Sequence, residues 1–143
     1  MNQYLLDVCV LVAILDPLHT LHQRAFPWFL EHAREGWATC PLTENGTVRI
    51  VSNPRYSNPQ SPPSVPIEIL RDLTAFGNHR FVPDDISVLN SDTFDSEGIL
   101  TPKQITDTYL LALAVHNNLI LATLDKHLVT TAVRLPNAKL HLI

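Results

Sequence analysis

The run Leu5-Leu6-Asp7-Val8-Cys9-Val10-Leu11-Val12-Ala13-Ile14-Leu15 constrains the chain more than any other stretch, because it sets one carboxylate among residues that must be buried. An ionised Asp in apolar surroundings costs several kcal/mol unless it is paired, hydrogen-bonded or bound to a cation. Asp7 therefore calls for a capping role at a helix start or for a cation shared with other carboxylates. The period of the sequence also changes there: residues 3–8 read as a short buried strand, and the run after them as the start of a helix.

The same alternation recurs to the end of the chain. His19 to Ala33 has helical spacing in Leu21, Ala25, Trp28, Phe29 and His32, with Pro27 expected to kink or divide it. Gly36 is a plausible stop, Trp37 to Cys40 a second strand, and Pro41 a suitable first residue for a helix through Ser52. Asn53 to Pro66 holds five of the eleven prolines and no apolar period, so it reads as an exposed loop. Ile67 to Phe76 reads as a helix ending at Gly77, and Arg80 to Val82 as a third strand. Asp84 to Gly98 is acidic and polar, with room for one short helix. Thr101-Pro102-Lys103-Gln104 pairs a capping box with an early proline and opens a helix to about Asn117, apolar nearly all round from Tyr109 to Val115 and therefore central. Leu119 to Thr123 reads as a buried strand, Lys126 to Arg134 as a helix, and Lys139 to Ile143 as a last strand.

Strands alternating with helices predict an α/β sandwich on a mainly parallel sheet. Right-handed crossovers bring the strand ends after Val8, Cys40 and Thr123 to one edge, where such sheets place their ligands. With 143 residues the chain fits a single domain. The run Val8 to Leu15 falls well short of the roughly 20 residues that span a bilayer, and no basic residue precedes it, so neither a membrane span nor a signal peptide is expected. Two cysteines, Cys9 and Cys40, are too few for a disulfide framework and suit a reducing cytoplasm. A formal charge of −4 argues against a broad basic footprint for nucleic acid. Gathering four of the fourteen acids in one metal site would leave ten against ten Lys and Arg, so a phosphate-bearing substrate approaching through metal remains compatible.

Four acids fall at the predicted edge or beside it: Asp7 after the first strand, Glu44 in the helix after the second, Asp107 two turns into the central helix, and Asp125 after the strand Leu119 to Thr123. Asp7 and Asp125 could each cap the helix that follows, and Glu44 could simply favour the positive end of its helix. Asp107 sits too deep for a cap. Four clustered carboxylates would raise one another's pKa values, whereas Mg²⁺ or Mn²⁺ removes that penalty through the oxygen ligands it prefers. Such an ion makes a nucleophile of water and offsets charge on a phosphodiester.

Three motifs in order carry a resemblance: Leu5 to Ala13, Cys40-Pro41-Leu42-Thr43-Glu44-Asn45-Gly46, and Thr106-Asp107-Thr108-Tyr109-Leu110-Leu111-Ala112-Leu113-Ala114. With Leu121-Ala122-Thr123-Leu124-Asp125, the segment Trp28 to Thr39 and Pro83-Asp84-Asp85-Ile86, the sequence resembles a PIN-domain ribonuclease of the VapC toxin type over nearly its whole length. The resemblance implies a three-layer PIN-like sandwich and a cytoplasmic endonuclease that cuts RNA with Mg²⁺ or Mn²⁺, is held inactive by a small antitoxin and commonly dimerises. It makes Asp7 and Asp107 the principal metal ligands, with Glu44 and Asp125 completing the acidic pocket and Thr123 orienting Asp125 or a water. Position 9 is Cys where the family usually carries a small polar residue, often Asn, that supports the acids. That departure motivates an alternative, a catalytically degenerate domain that only binds antitoxin or RNA. A haloacid dehalogenase-type phosphohydrolase would need a second Asp at position 9.

Arg49 and Arg55 flank the expected pocket and are candidate phosphate contacts. Trp28, Phe29 and Trp37 read as core or partner surface, and His19 and His22 as surface or capping residues rather than a zinc pair.

Overall fold

The computed structural model describes residues 1–143. In chain order the elements are β1 (Tyr4–Leu6), α1 (Val8–Leu15), α2 (His22–His32), β2 (Trp37–Thr39), α3 (Pro41–Ser52), α4 (Ser64–Thr74), β3 (His79–Phe81), α5 (Lys103–His116), β4 (Ile120–Thr123) and β5 (Leu140–Leu142), with a single 3-10 turn at Ser96–Gly98.

The strands form one five-stranded sheet in the order β3-β2-β1-β4-β5, every neighbouring pair parallel. Because successive side chains point to opposite faces, β1 divides its residues between two cores. Tyr4 and Leu6 join α1, α2, Trp37 and Leu70 of α4 on one face, while Leu5 joins Ala38, Leu121 and α5 on the other. The result is the three-layer α/β sandwich that the alternation of elements predicts. Leu110 to Ala114 are all buried, as a helix apolar nearly all round must be. Each buried leucine there contributes about 1.5–3 kcal/mol relative to exposure.

The sheet order reverses at β1: the chain moves outward to β2 and β3, then returns to place β4 on the other side of β1. The C-terminal ends of β1 and β4 therefore flank a topological switch point, the crevice where open α/β sheets bind ligands. Two glycines allow close approaches, Gly46 beside this crevice and Gly77 at the opposite edge of the sheet, before β3. A Cβ at Gly46 would stand 3.1 Å from Val8 Cγ2, so the small residue lets α3 lie tightly over α1. Gly77 has φ +66°, and a Cβ there would come within 2.5 Å of the Ala33 carbonyl oxygen.

The sequence expectations fail at several boundaries. Lys126 to Arg134 is not a helix. Val129, Thr130, Thr131 and Val133 are β-branched and poor helix formers, and the segment instead pairs with the loop before α5, through the antiparallel bridge Phe94–Val133 and the bonds Asp95 N–H to Ala132 O (2.8 Å) and Arg134 N–H to Thr93 O (2.8 Å). Helix α2 begins at His22 and runs undivided through Pro27. Helix α4 starts at Ser64, which shortens the proline-rich loop. That loop is tied down: Tyr56 OH (2.5 Å) and Asn58 Nδ2 (3.1 Å) both donate to Asp16 Oδ2. Only half of the expected capping box at Thr101 forms, with Gln104 Oε1 accepting from the amides of Leu100 and Thr101.

Candidate active site

Asp7 occupies the residue between β1 and α1. Extended backbone there (φ −66°, ψ 158°) makes it the N-cap of α1, and its Oδ1 accepts the Val8 amide at 2.7 Å. Its other oxygen, Oδ2, accepts the Thr123 hydroxyl at 2.8 Å and the Cys9 thiol at 3.4 Å. Asp7 is therefore a cap, yet capping does not exhaust its chemistry. Burial to 6 % exposure raises its pKa, and the hydrogen bonds from Thr123, Cys9 and Val8, which act in the opposite direction, do not cancel that effect. The nearby charge of Asp125 raises it further.

Asp107 projects from α5, half-buried. Desolvation first, then the charges of Asp7 and Asp125, push its carboxyl up to about 6. Asp125 follows β4 and is exposed; its amide donates to Thr123 Oγ1 (3.1 Å), and its Oδ1 accepts the His127 amide (2.8 Å) in the turn that replaces the expected helix. Asp7, Asp107 and Asp125 thus share one electrostatic field at the switch point. No Lys, Arg or His is among the groups that shift Asp7 or Asp107, and the three ion pairs of the chain lie elsewhere. No three His, Cys, Asp or Glu side chains are drawn tightly enough to ligate one ion as they stand. Oxygen donors, net negative charge and the absence of a cationic side chain among the groups acting on Asp7 and Asp107 fit a hard divalent ion.

Thr123 is fully buried, and its hydroxyl is used within the protein, donating to Asp7 and accepting from the Asp125 amide. It orients the two acids and offers no surface to a substrate. Cys9 sits 3.4 Å from Asp7 Oδ2 and 3.5 Å from Thr123 Oγ1. Burial and the charge of Asp7 push its thiol up to about 11, so it stays protonated and donates, the service a small polar residue would give.

Glu44 stands apart from this trio in its bonding. It lies in the first turn of α3, whose start is fixed by the Cys40 amide donating to Thr43 Oγ1 (3.0 Å) and by Asp84 Oδ2 accepting the Leu42 amide (3.0 Å) from the far side. Its Oε2 accepts the Thr39 hydroxyl at 2.6 Å. Glu44 also lines a groove of about 810 Å³ between α3 and α4, with Arg49 and Arg71 on its walls and Val48, Ile67 and Leu70 supplying apolar surface. Arg55 lies on the loop beyond α3, exposed and outside that groove.

Several residues of the site were not singled out by the sequence reading. Thr39 and His79 meet Glu44 only through the register of β2 and β3. Away from the site, at the C-terminal end of α1, Asp16 is 2 % exposed: burial pushes its carboxyl up, but donors from Tyr56, Asn58 and the Leu18 amide outweigh that and hold it below the ordinary value. Its place just after an apolar helix and before Pro17 was the available signal.

A parallel sheet with this strand order, and carboxylates at its switch point, is the architecture of the PIN domain. The profile of that family, described as PIN domain, matches residues 4–133, and the chain belongs to it. Within the family the chain is of the VapC type. It is 43% identical over 129 residues to Ribonuclease VapC44 of Mycobacterium tuberculosis (strain ATCC 25618 / H37Rv), covering 90% of each chain. It is 38% identical over 143 residues to Ribonuclease VapC38 of the same strain (97% and 96% covered), and 37% identical over 128 residues to Ribonuclease VapC39 (90% and 92% covered).

Proposed function

We propose that this chain is an endoribonuclease, the toxin of a toxin–antitoxin pair, hydrolysing RNA phosphodiesters with Mg²⁺ or Mn²⁺. The observation that carries the reading is the field shared by Asp7, Asp107 and Asp125 without a compensating cation, on a chain whose relatives bear the name ribonuclease. Asp7, Asp107 and Asp125 are the residues that would hold the ion, with Glu44 contributing from α3. When bound, the ion supplies an activated water and offsets charge on the phosphate. Thr123, Cys9 and the Val8 amide hold Asp7 in a fixed orientation, so that its carboxylate is preorganised before an ion or substrate arrives. Asp107, raised to about 6 by burial and by the charges of Asp7 and Asp125, is the carboxylate whose repulsion a bound cation would relieve. Arg49, which lines the same groove as Glu44, is the candidate contact for a substrate phosphate.

Cys9 no longer favours the binding-only alternative, because its thiol donates to Asp7. A cytoplasmic location, a small antitoxin partner and a homodimer belong to the same reading. No helix is long and apolar enough to cross a membrane. The test is cleavage of a single-stranded RNA by the purified chain: metal-dependent cutting that stops in chelator and in Asp107→Asn is expected, and undiminished cutting by a folded Asp107→Asn variant would refute the site.

A further inference from the structure

A hydrogen-bond chain runs from β3 to Glu44. Trp37 and Thr39 of β2 share a face of the sheet, and in the parallel register Trp37 lies beside His79 while Thr39 lies beside Phe81. His79 is therefore diagonal to Thr39. Its Nε2 stands 2.8 Å from Thr39 Oγ1, and Oγ1 in turn donates to Glu44 Oε2 at 2.6 Å. The His79 ring is held in place by Trp37, with centroids 4.5 Å apart and planes at 60°, and Trp37 is pinned by its own Nε1–H to the Phe76 carbonyl at 2.9 Å.

Proton counting fixes the direction of this chain. A threonine hydroxyl has one hydrogen, and here it goes to Glu44, so the short contact to His79 requires the ring to donate through Nε2–H. Thr39 is fully buried, and both partners of its hydroxyl come from within the protein. Burial lowers the pKa of His79 against the opposing pull of Glu44, which favours the neutral ring.

We propose that His79 and Thr39 are positioning residues for Glu44, fixing one carboxylate oxygen through the relay Nε2–H to Oγ1–H to Oε2 so that the other oxygen is presented to the groove between α3 and α4. This rests on the reading of Glu44 as a site carboxylate. Neither residue touches a substrate. Without the relay, the Glu44 side chain rotates freely at the head of α3 and the groove loses its one fixed carboxylate, a loss of the kind that misplaced catalytic groups show.

The test has two readouts on the full chain. The first is the tautomer of His79, read from ring ¹⁵N shifts in the neutral protein. Wild type and Thr39→Ser should show Nε2–H, whereas Thr39→Val, of equal size and without the hydroxyl, should give a mixture of tautomers. A wild-type ring protonated at Nδ1, or a tautomer indifferent to Thr39→Val, overturns the relay whether or not RNA is cut. The second is steady-state cleavage. Thr39→Val and His79→Leu should each lower kcat about tenfold with KM within about twofold, Thr39→Ser and His79→Gln should recover most of the loss, and His79→Leu should add nothing in a Glu44→Gln background. Unchanged kcat in a folded Thr39→Val variant would equally overturn the positioning role. A protein with the expected tautomers and no cleavage of RNA would instead refute the ribonuclease reading and leave the relay standing.

Discussion

Replacing Asp107 by Asn should make the chain more stable while removing its activity. In the folded protein the Asp107 carboxyl is displaced from 3.8 to about 6 by desolvation and by the charges of Asp7 and Asp125. A displacement of that size corresponds to at most about 3 kcal/mol, and water around a half-buried side chain reduces it to about 1–2 kcal/mol. The sign follows from proton binding. Between pH 3.8 and about 6 the folded state holds the Asp107 proton and the unfolded state has released it, so the wild type loses stability as pH rises through that window. Asn carries no charge and pays none of this penalty. In chelator at pH 7.5, Asp107→Asn should melt about 3–8 °C above wild type, and the difference should shrink towards zero below pH 4. The assay is thermal or urea unfolding of both proteins at pH 3.5, 5 and 7.5, with RNA cleavage measured in parallel. A variant less stable than wild type at pH 7.5 would mean that ionised Asp107 is compensated by a partner, and would refute the shared field of uncompensated carboxylates.

Three further outcomes follow from single contacts. Thr123→Val removes the hydroxyl shared by Asp7 and the Asp125 amide, and should cost about 1–3 kcal/mol of stability in urea unfolding and weaken Mn²⁺ binding measured by calorimetry. Tyr56→Phe takes one donor from buried Asp16 and should cost about 1–2 kcal/mol at pH 7. Because Asp16 is held below its ordinary pKa, the stability it lends is present above pH 3.8 and lost as pH falls, so the cost of Tyr56→Phe should fade in acid. Gly77→Ala places a Cβ against the Ala33 carbonyl at a left-handed φ and should lower stability by about 1–3 kcal/mol, read from the melting temperature.

What was legible in the sequence is what local patterns encode. The alternation of short apolar strands with amphipathic or buried helices predicts the parallel sandwich, and Asp7 is conspicuous because burial makes an uncompensated charge costly. The ends of elements were less legible. Lys126 to Arg134 reads as a helix only from the alternation of elements, and its conformation is decided by its β-branched residues and by pairing with Thr93, Phe94 and Asp95, more than thirty positions away. The same holds for the site. Asp7, Asp107 and Asp125 can be picked out one at a time, yet their coupling depends on β4 returning beside β1. The bond from Thr39 to Glu44 and the approach of His79 depend on strand register, which no spacing in the sequence displays. Cys9 is a different case. By composition it is a weak donor among apolar residues, and only its place beside Asp7 Oδ2 and Thr123 Oγ1 gives the thiol its supporting part.

The central claim is that the carboxylates at the switch point hold a divalent cation. Calorimetric titration of Mn²⁺ into wild type and Asp107→Asn at pH 7.5 tests it most directly. Saturable binding to the wild type, weakened at least about tenfold in the variant, is the result expected when one of a small set of oxygen ligands is lost. Equal affinity in the two proteins, or no binding to the wild type, would contradict it.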